Sequence, residues 1–145
     1  MSSDLKASSS ILIEAAASAI WETITQPEKI KLFLYGTDTE TDWKVGSPIK
    51  FTGNYNGTEY HDKGNVLENE TNKLLKYNYW SSMSGTEDKL ENYFIVSYML
   101  EKEDENSIRF TWLQTNMASE KSVEHTEKGL PMMLAEIKRI SEEKS

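Results

Sequence analysis

Residues 41–53 read TDWKVGSPIKFTG and join a segment of helical periodicity to a run of strands. Large apolar residues alternate at Ile49 and Phe51, which is the period of a strand with one buried face. The following Asn56-Gly57 is a strong signal for a two-residue hairpin turn, so the chain is expected to return as a second strand over residues 58–68. The stretch holds no pattern typical of catalysis, and it predicts the start of an antiparallel meander.

The segment before this stretch is expected to form one strand and two short helices. Residues 9–14 are compatible with the strand. Helical spacing then follows at Ala17, Ile20, Trp21 and Ile24. Pro27 suits the first turn of a second helix that ends at Gly36. Residues 1–8 are polar and are predicted to be flexible, which leaves residues 9–145 as a single domain.

The segment after the hairpin is expected to continue the meander and to end in a long helix. After a turn at 69–72, strands are predicted around residues 74–80, 91–101 and 108–115. The last helix is predicted from about residue 118 to 143, with an apolar stripe of Leu130, Met133, Leu134, Ile137 and Ile140. Pro131 either kinks this helix or marks its true start.

The apolar faces of the last two strands indicate how sheet and helix pack. In YFIVSYML one face carries Phe94, Val96, Tyr98 and Leu100, and in SIRFTWLQ one face carries Ile108, Phe110, Trp112 and Gln114. An aromatic-rich face opposite a helix with one apolar stripe predicts an α+β fold, with a curved antiparallel sheet around the C-terminal helix. Large side chains on such a concave surface often leave a cavity.

Composition narrows the function classes. The 145 residues fit one domain, and the absence of cysteine excludes disulfides and thiolate chemistry and suits the cytoplasm. A net charge of −8 argues against nucleic acid and anionic membrane surfaces as partners. Apolar runs fall short of the ~20 residues of a membrane span, so a soluble protein is expected. A signal peptide is not expected, because Glu14 interrupts the apolar run and Asp4 offsets Lys6.

Several motifs, in this order, carry a family resemblance. They are AIWETITQPEKI at residues 19–30, DWKVG at 42–46, KGNVLE at 63–68, LKY at 75–77, ENY at 91–93 and TN at 115–116. Together they resemble the helix-grip fold of the START-like (SRPBCC) superfamily, in the Aha-like branch named after the heat-shock protein 90 ATPase activator. The resemblance spans residues 9–140. The chain departs from the family by offering Phe33 and Leu130 where aromatics are common near the end of the second helix and early in the last.

The resemblance gives the opening stretch a structural role. Trp43 and Val45 are expected to close the helical segment against the sheet, and Gly46 to permit a tight approach into the strand. Pro48 is expected to start that strand, whose Ile49 and Phe51 face the interior. The superfamily shares a hydrophobic cavity between the sheet and the last helix, which its members use for different ligands.

The residues expected to line such a cavity are mainly aromatic and come from the sheet and the last helix. They are Phe33, Phe51, Val66, Tyr77, Tyr79, Phe94, Val96, Tyr98, Phe110, Trp112, Gln114, Leu130, Met133, Leu134 and Ile137. The tyrosine hydroxyls and Gln114 would supply a few oriented polar groups. The alternative is that the same set is plain core.

No catalytic residue, metal site or cofactor is predicted. His61 and His125 lie on different elements without ligands at zinc spacing, and alternation places His61 on the face opposite Asp62. Glu68, beside Val66, is the better candidate for a buried carboxylate, with the alternative that it is solvated, as is usual at the end of a strand. The chain has no phosphate-binding loop or nucleophile elbow.

Three functions stay open. The first is binding of a small apolar or amphipathic molecule in the cavity, without catalysis. The second is co-chaperone activity toward a heat-shock protein 90, which only the family name suggests. The third is an enzyme of the cyclase or dehydratase type, using the cavity as a chamber and a tyrosine or carboxylate for proton transfer.

Overall fold

Seven antiparallel strands form one sheet in the computed structural model, which describes residues 4–143. The strands are β1 (Ala7–Ile13), β2 (Asp38–Glu40), β3 (Pro48–Tyr55), β4 (Thr58–Glu70), β5 (Leu74–Tyr79), β6 (Phe94–Asp104) and β7 (Ser107–Thr115), in the spatial order β1-β7-β6-β5-β4-β3-β2. The helices are α1 (Ala17–Thr25), α2 (Pro27–Phe33) and α3 (Glu120–Glu142), and a single 3₁₀ turn covers Leu90–Asn92. The predicted α+β fold, a curved antiparallel sheet with a C-terminal helix, is confirmed.

Helix α3 packs against β1, α1 and α2 and buries one side of itself on the sheet. Its buried residues Leu130, Leu134 and Ile137 join the core below it. At its C-terminal end the Ser141 hydroxyl lies 2.9 Å from that of buried Thr23 on α1. The helix continues through Pro131, so this proline does not mark the start of the helix.

The β3–β4 hairpin confirms the predicted turn. Asn56 and Gly57 have φ values of 50° and 85°, which is the pattern of a two-residue type I′ turn. On β4, Gly64 is required by close packing, because a Cβ there would lie 1.8 Å from the backbone oxygen of Asn78. This contact brings β4 and β5 close together just before the bulge between Val66 and Glu68.

Several boundaries differ from those predicted, and one strand was missed. Helix α2 ends at Phe33 rather than at Gly36. Strand β1 begins at Ala7 because its pairing with β7 extends to Gln114, so Ala7 and Ser8 belong to the sheet. Residues 1–3 of the predicted flexible segment lie outside the described residues. Strand β6 begins at Phe94 because the three residues of the 3₁₀ turn precede it. The three-residue edge strand β2 was not predicted, since it is too short to show a period.

The opening stretch closes the helices against the sheet as predicted, through Trp43 alone. The Trp43 indole N–H donates to the Thr25 backbone oxygen at 2.8 Å, and its ring contacts Tyr77. The prediction for Val45 was wrong, because its side chain is 63% exposed. Gly46 is needed for its φ of +92°, not for a tight approach, since an added Cβ would meet no atom within 4 Å.

Candidate functional site

Most of the residues predicted to line a cavity are packed against one another in the core. The buried core cluster contains Phe33, Phe51, Val66, Tyr77, Val96, Tyr98, Phe110, Trp112, Leu130, Leu134 and Ile137, with Tyr79, Phe94 and Met133 partly buried against it. Their rings touch directly, with centroids 4.8 Å apart for Tyr98 and Trp112 and 4.7 Å apart for Phe51 and Tyr79. This part of the molecule is a continuous aromatic layer between the sheet and α3.

Two tyrosine hydroxyls face each other inside this layer. The oxygens of Tyr77 and Tyr98 lie 2.8 Å apart, and both side chains are buried. Burial raises the pKa of both phenols well above the ordinary value of 10. Both therefore stay protonated at neutral pH and satisfy each other as a hydrogen-bonded pair.

An open pocket of about 950 Å³ lies beside the aromatic layer, where β7 ends and α3 begins. Its walls come from the N-terminal half of α3, the start of β6, the end of β7 and the β5–β6 loop, residues 80–93. The lining residues are Tyr35, Ser81, Ser84, Thr86, Glu91, Asn92, Phe94, Gln114, Asn116, Met117, Ala118, Ser119, Ser122, His125, Thr126, Gly129, Leu130 and Met133. Phe94, Gln114, Leu130 and Met133 are the members of the predicted set that line it.

The sequence of α3 explains why a pocket forms at this end. The N-terminal half presents Ser122, Thr126 and Gly129 toward the pocket, whereas Leu134 and Ile137 fill the corresponding space further along. An added Cβ on Gly129 would meet no atom within 4 Å, so the space over this glycine is open. Small side chains on one half of the helix leave a volume that the other half fills.

The start of the helix is fixed by a capping box. The Ser119 hydroxyl accepts from the backbone N–H of Ser122, and the Ser122 hydroxyl accepts from the backbone N–H of Ser119, each at 3.1 Å. Two of the unpaired donors of the first turn are thus satisfied within the chain. Both serines line the pocket, so the capping box holds this wall in place.

The β5–β6 loop forms the outer wall, and side chains on the sheet hold it. Asp62 on β4 accepts from the Tyr79 hydroxyl, and it accepts from the Ser82 backbone N–H at 2.9 Å. Further along, the Asp88 carboxylate pairs with Lys63 and accepts from the Tyr93 hydroxyl. Asp62 and Lys63 thus tie both halves of the loop to β4.

Asn116 anchors the end of the loop from the opposite side. Its side-chain N–H donates to the backbone oxygen of Tyr93 at 2.8 Å and to that of Glu91 at 3.3 Å. The φ of Asn116 is +57°, a conformation that asparagine tolerates better than most residues. The turn between β7 and α3 and the β5–β6 loop therefore form one connected rim.

The buried carboxylate of β4 is Asp62, whereas the candidate Glu68 is solvated, which was the alternative expected for a carboxylate at a strand end. The Glu68 side chain is 52% exposed and pairs with Lys76 at 3.1 Å, whereas Asp62 is 7% exposed. Asp62 and Glu68 are both in phase with buried Val66 in the sequence, but the bulge between Val66 and Glu68 breaks this phase and leaves Glu68 exposed. His61 faces the other way, as predicted, and its Nε2 lies 3.3 Å from Glu59.

Gln114 occupies the inner end of the pocket together with Met117 and Leu130. All three are buried, at 7%, 4% and 1% exposure. The rim is formed by exposed polar side chains of the loop, among them Thr86 and Asn92. The pocket thus runs from a polar rim to a mostly apolar inner end with one amide group.

Residues 4–143 contain neither a metal-binding cluster nor a helix that could span a membrane. This part of the chain holds no group of three or more His, Cys, Asp or Glu side chains placed to bind a metal ion. Within the same range, no helix has the length and apolar character that crossing a membrane requires.

The chain matches a known protein family and is similar to several solved structures. Residues 14–142 match the family model described as Activator of Hsp90 ATPase homolog 1-like protein. A protein of Cytophaga hutchinsonii solved in solution is 32% identical, with a TM-score of 0.81 over 96% of this chain and 94% of that one. No curated protein sequence matches significantly.

Two more distant structures share the fold. The Aha1 dimer of Colwellia psychrerythraea is 20% identical, with a TM-score of 0.75 over 95% of this chain and 96% of that one. An HSP90 activator of Plasmodium falciparum is 16% identical, with a TM-score of 0.72 over 94% of this chain and 95% of that one. At these identities the likeness extends to the fold alone.

Proposed function

Because this chain belongs to the family of Activator of Hsp90 ATPase homolog 1-like proteins, we propose that it binds a small amphipathic molecule in the pocket between α3 and the β5–β6 loop. The ligand is received at the end of the sheet, and the aromatic layer serves as the rigid wall behind it. In this proposal the protein is a carrier or sensor, and binding requires no chemical step.

The observation that carries the proposal is the pocket itself. Its volume of about 950 Å³ lies within the roughly 300–1,000 Å³ of small-molecule sites. Its inner end is buried and mostly apolar, and its rim is polar and exposed. An elongated molecule with an apolar body and a polar outer end matches this distribution.

The aromatic layer supports the pocket from behind. Phe94, which lines the pocket, stacks on Tyr79 with ring centroids 5.1 Å apart. Trp112 lies behind Gln114 and contacts Phe33 and Tyr98. Because this layer is already packed, ligand entry calls for little rearrangement of the wall, which lowers the entropic cost of binding.

A pocket-filling variant tests the proposal. Gly129→Met places a side chain in the open volume over the helix, while Lys128→Met makes a similar change at an exposed position that does not line the pocket. Both variants and the parent protein are incubated with a total lipid and metabolite extract, purified, and analysed by native mass spectrometry and organic extraction. We expect a discrete adduct on the parent and on Lys128→Met, and its loss in Gly129→Met.

Two results would count against this function. An adduct retained in full by Gly129→Met would place the ligand elsewhere. Bare protein in all three samples would remove the tight-binding proposal. Circular dichroism of each variant establishes that the fold is intact before the comparison is made.

A chaperone partner is the second candidate, and the family description is what favours it. The measurement is the ATPase rate of a heat-shock protein 90 in the presence of excess protein. A saturable rise in rate supports this role, and an unchanged rate at high excess argues against it. The enzyme hypothesis has less support, because none of the described tyrosines with raised pKa values lines the pocket; they are Tyr77, Tyr79, Tyr93 and Tyr98.

A further inference from the structure

We propose that Gln114 selects the ligand: its side-chain N–H, at the inner end of the pocket, donates a hydrogen bond to a neutral acceptor such as a ketone, ester or amide carbonyl. The ligand would therefore be a neutral amphipathic molecule that enters with this acceptor foremost. The inference rests on the proposed function and deepens it by naming the ligand chemistry.

The orientation of the Gln114 amide is determined by a neighbour that can only donate. The indole N–H of Trp112 lies 3.0 Å from Oε1 of Gln114. An indole N–H has no acceptor capacity, so the group that faces it must be the amide oxygen. The amide nitrogen is consequently turned the other way, toward Met117.

The amide nitrogen is left with spare donor capacity. It carries two hydrogens, and its contact is with the Met117 sulfur at 3.4 Å, a weak acceptor. Among the described residues no oxygen acceptor contacts this nitrogen, although Gln114 is only 7% exposed. A buried donor whose partner is a weak acceptor is unfavourable, and a carbonyl oxygen of a ligand would satisfy it.

Trp112 is the positioning residue for this amide. It sits opposite Tyr98 in the register of β6 and β7, and the two rings are 4.8 Å apart. Its outer side meets Phe33 of α2 edge-on, with centroids 6.3 Å apart. The indole therefore has little freedom to turn, and the Gln114 oxygen stays engaged.

The charges around the pocket favour a neutral acceptor over a carboxylate. No lysine or arginine is among the lining residues that the structure describes. The charged group on the rim is Glu91, and His125 is the lining imidazole. With a net charge of −8 on the whole chain, an anionic ligand would be repelled and would find no cationic partner inside.

The probe for the test is prodan, a naphthyl ketone whose emission shifts when its carbonyl accepts a hydrogen bond. The reference ligand is the analogue in which a propyl group replaces the propionyl group, so that the acceptor is missing. Dissociation constants for both are measured by fluorescence on the parent protein and on Gln114→Met, Gln114→Glu, Gly129→Met and Lys128→Met.

We expect Gln114→Met, which keeps the length of the side chain and removes the donor, to weaken prodan binding by about tenfold. The propyl analogue should bind the parent and Gln114→Met equally. Gln114→Glu keeps an oxygen that accepts from the Trp112 N–H and replaces the amide nitrogen by a second oxygen. It therefore separates weaker binding caused by the missing donor from weaker binding caused by misfolding. It should lose the preference for the ketone while keeping its near-ultraviolet circular dichroism.

The outcomes separate this inference from the function it rests on. If Gln114→Met and Gln114→Glu bind prodan as the parent does while Gly129→Met does not, the pocket stands and selection by Gln114 is overturned. If Gly129→Met binds both ligands as tightly as Lys128→Met, or the parent binds neither, the pocket proposal fails and the inference fails with it.

Discussion

At the scale of single residues, Asp62 makes three hydrogen bonds that hold the start of the β5–β6 loop. One carboxylate oxygen accepts from the Tyr79 hydroxyl, and the other accepts from the backbone N–H and the hydroxyl of Ser82 at 2.9 and 3.2 Å. Asp62→Asn replaces one of these oxygens by an amide nitrogen that faces a donor. We expect the free energy of unfolding in urea to fall by about 1–3 kcal/mol.

Glu68→Gln is the matched control for Asp62→Asn. It makes the same chemical change on the same strand, at an exposed carboxylate whose partner is Lys76. Exposed ion pairs of this kind contribute little, so the urea midpoint should barely move. Equal effects of the two substitutions would show that the buried contacts of Asp62 have no special weight.

The phase of a strand predicted which residues face inward, but not what they touch. Gln114 was correctly expected on the inner face of its strand. Phase with Val66 favours Asp62 and Glu68 equally, and only the bulge after Val66 separates them. Asp62 contacts Ser82, and Gln114 contacts Met117, only because of the path that the connecting loops take over the sheet. Alternation carries no information about that path.

At the scale of elements, the β5–β6 loop should respond to acid. The Lys63 ammonium and the Tyr93 hydroxyl lower the pKa of the Asp88 carboxyl below its ordinary value of 3.8. A carboxyl with a lowered pKa in the folded state contributes stability above its unfolded pKa and loses it as the pH falls through the folded value. We expect Asp88→Asn to lower the thermal midpoint at neutral pH, with the difference shrinking once the pH falls below about 4.

Glu87→Gln serves as the control for Asp88→Asn, because Glu87 is a neighbouring exposed carboxylate that pairs with Lys89. Thermal midpoints of the parent and both variants are recorded by circular dichroism across neutral and acidic pH. A difference for Asp88→Asn that stays constant down to strongly acidic pH would contradict an electrostatic origin.

Elements with a clear period or turn signal were predicted well. The hairpin at Asn56-Gly57 and the helix that begins at Pro27 follow from local backbone chemistry, and both are present. Strand β2 was missed because three residues at a sheet edge gain their conformation from pairing with β3. Pro131 gave an ambiguous signal, since packing of α3 on the sheet keeps the helix continuous through it.

At the scale of the whole molecule, sequence reasoning found the fold and the family but placed the expected cavity in the aromatic layer. The many aromatic residues on the inner face of the sheet indicated a large side-chain volume. Such side chains can either fill a core or surround a cavity. The described pocket depends instead on small residues such as Ser122, Thr126 and Gly129 on one half of α3. Small residues are weak signals of a pocket, because the sequence does not show whether another element fills the space beside them.

The most direct measurement of the central claim is a titration of isotope-labelled protein with prodan, followed by two-dimensional amide NMR. The account predicts saturable shifts of the Ser122, Gly129 and Asn92 backbone amides and of the Gln114 side-chain amide, with the β3–β4 hairpin unchanged. Shifts centred on that hairpin, or on the exposed Leu32 of α2, would contradict binding in the pocket, as would the absence of any saturable shift.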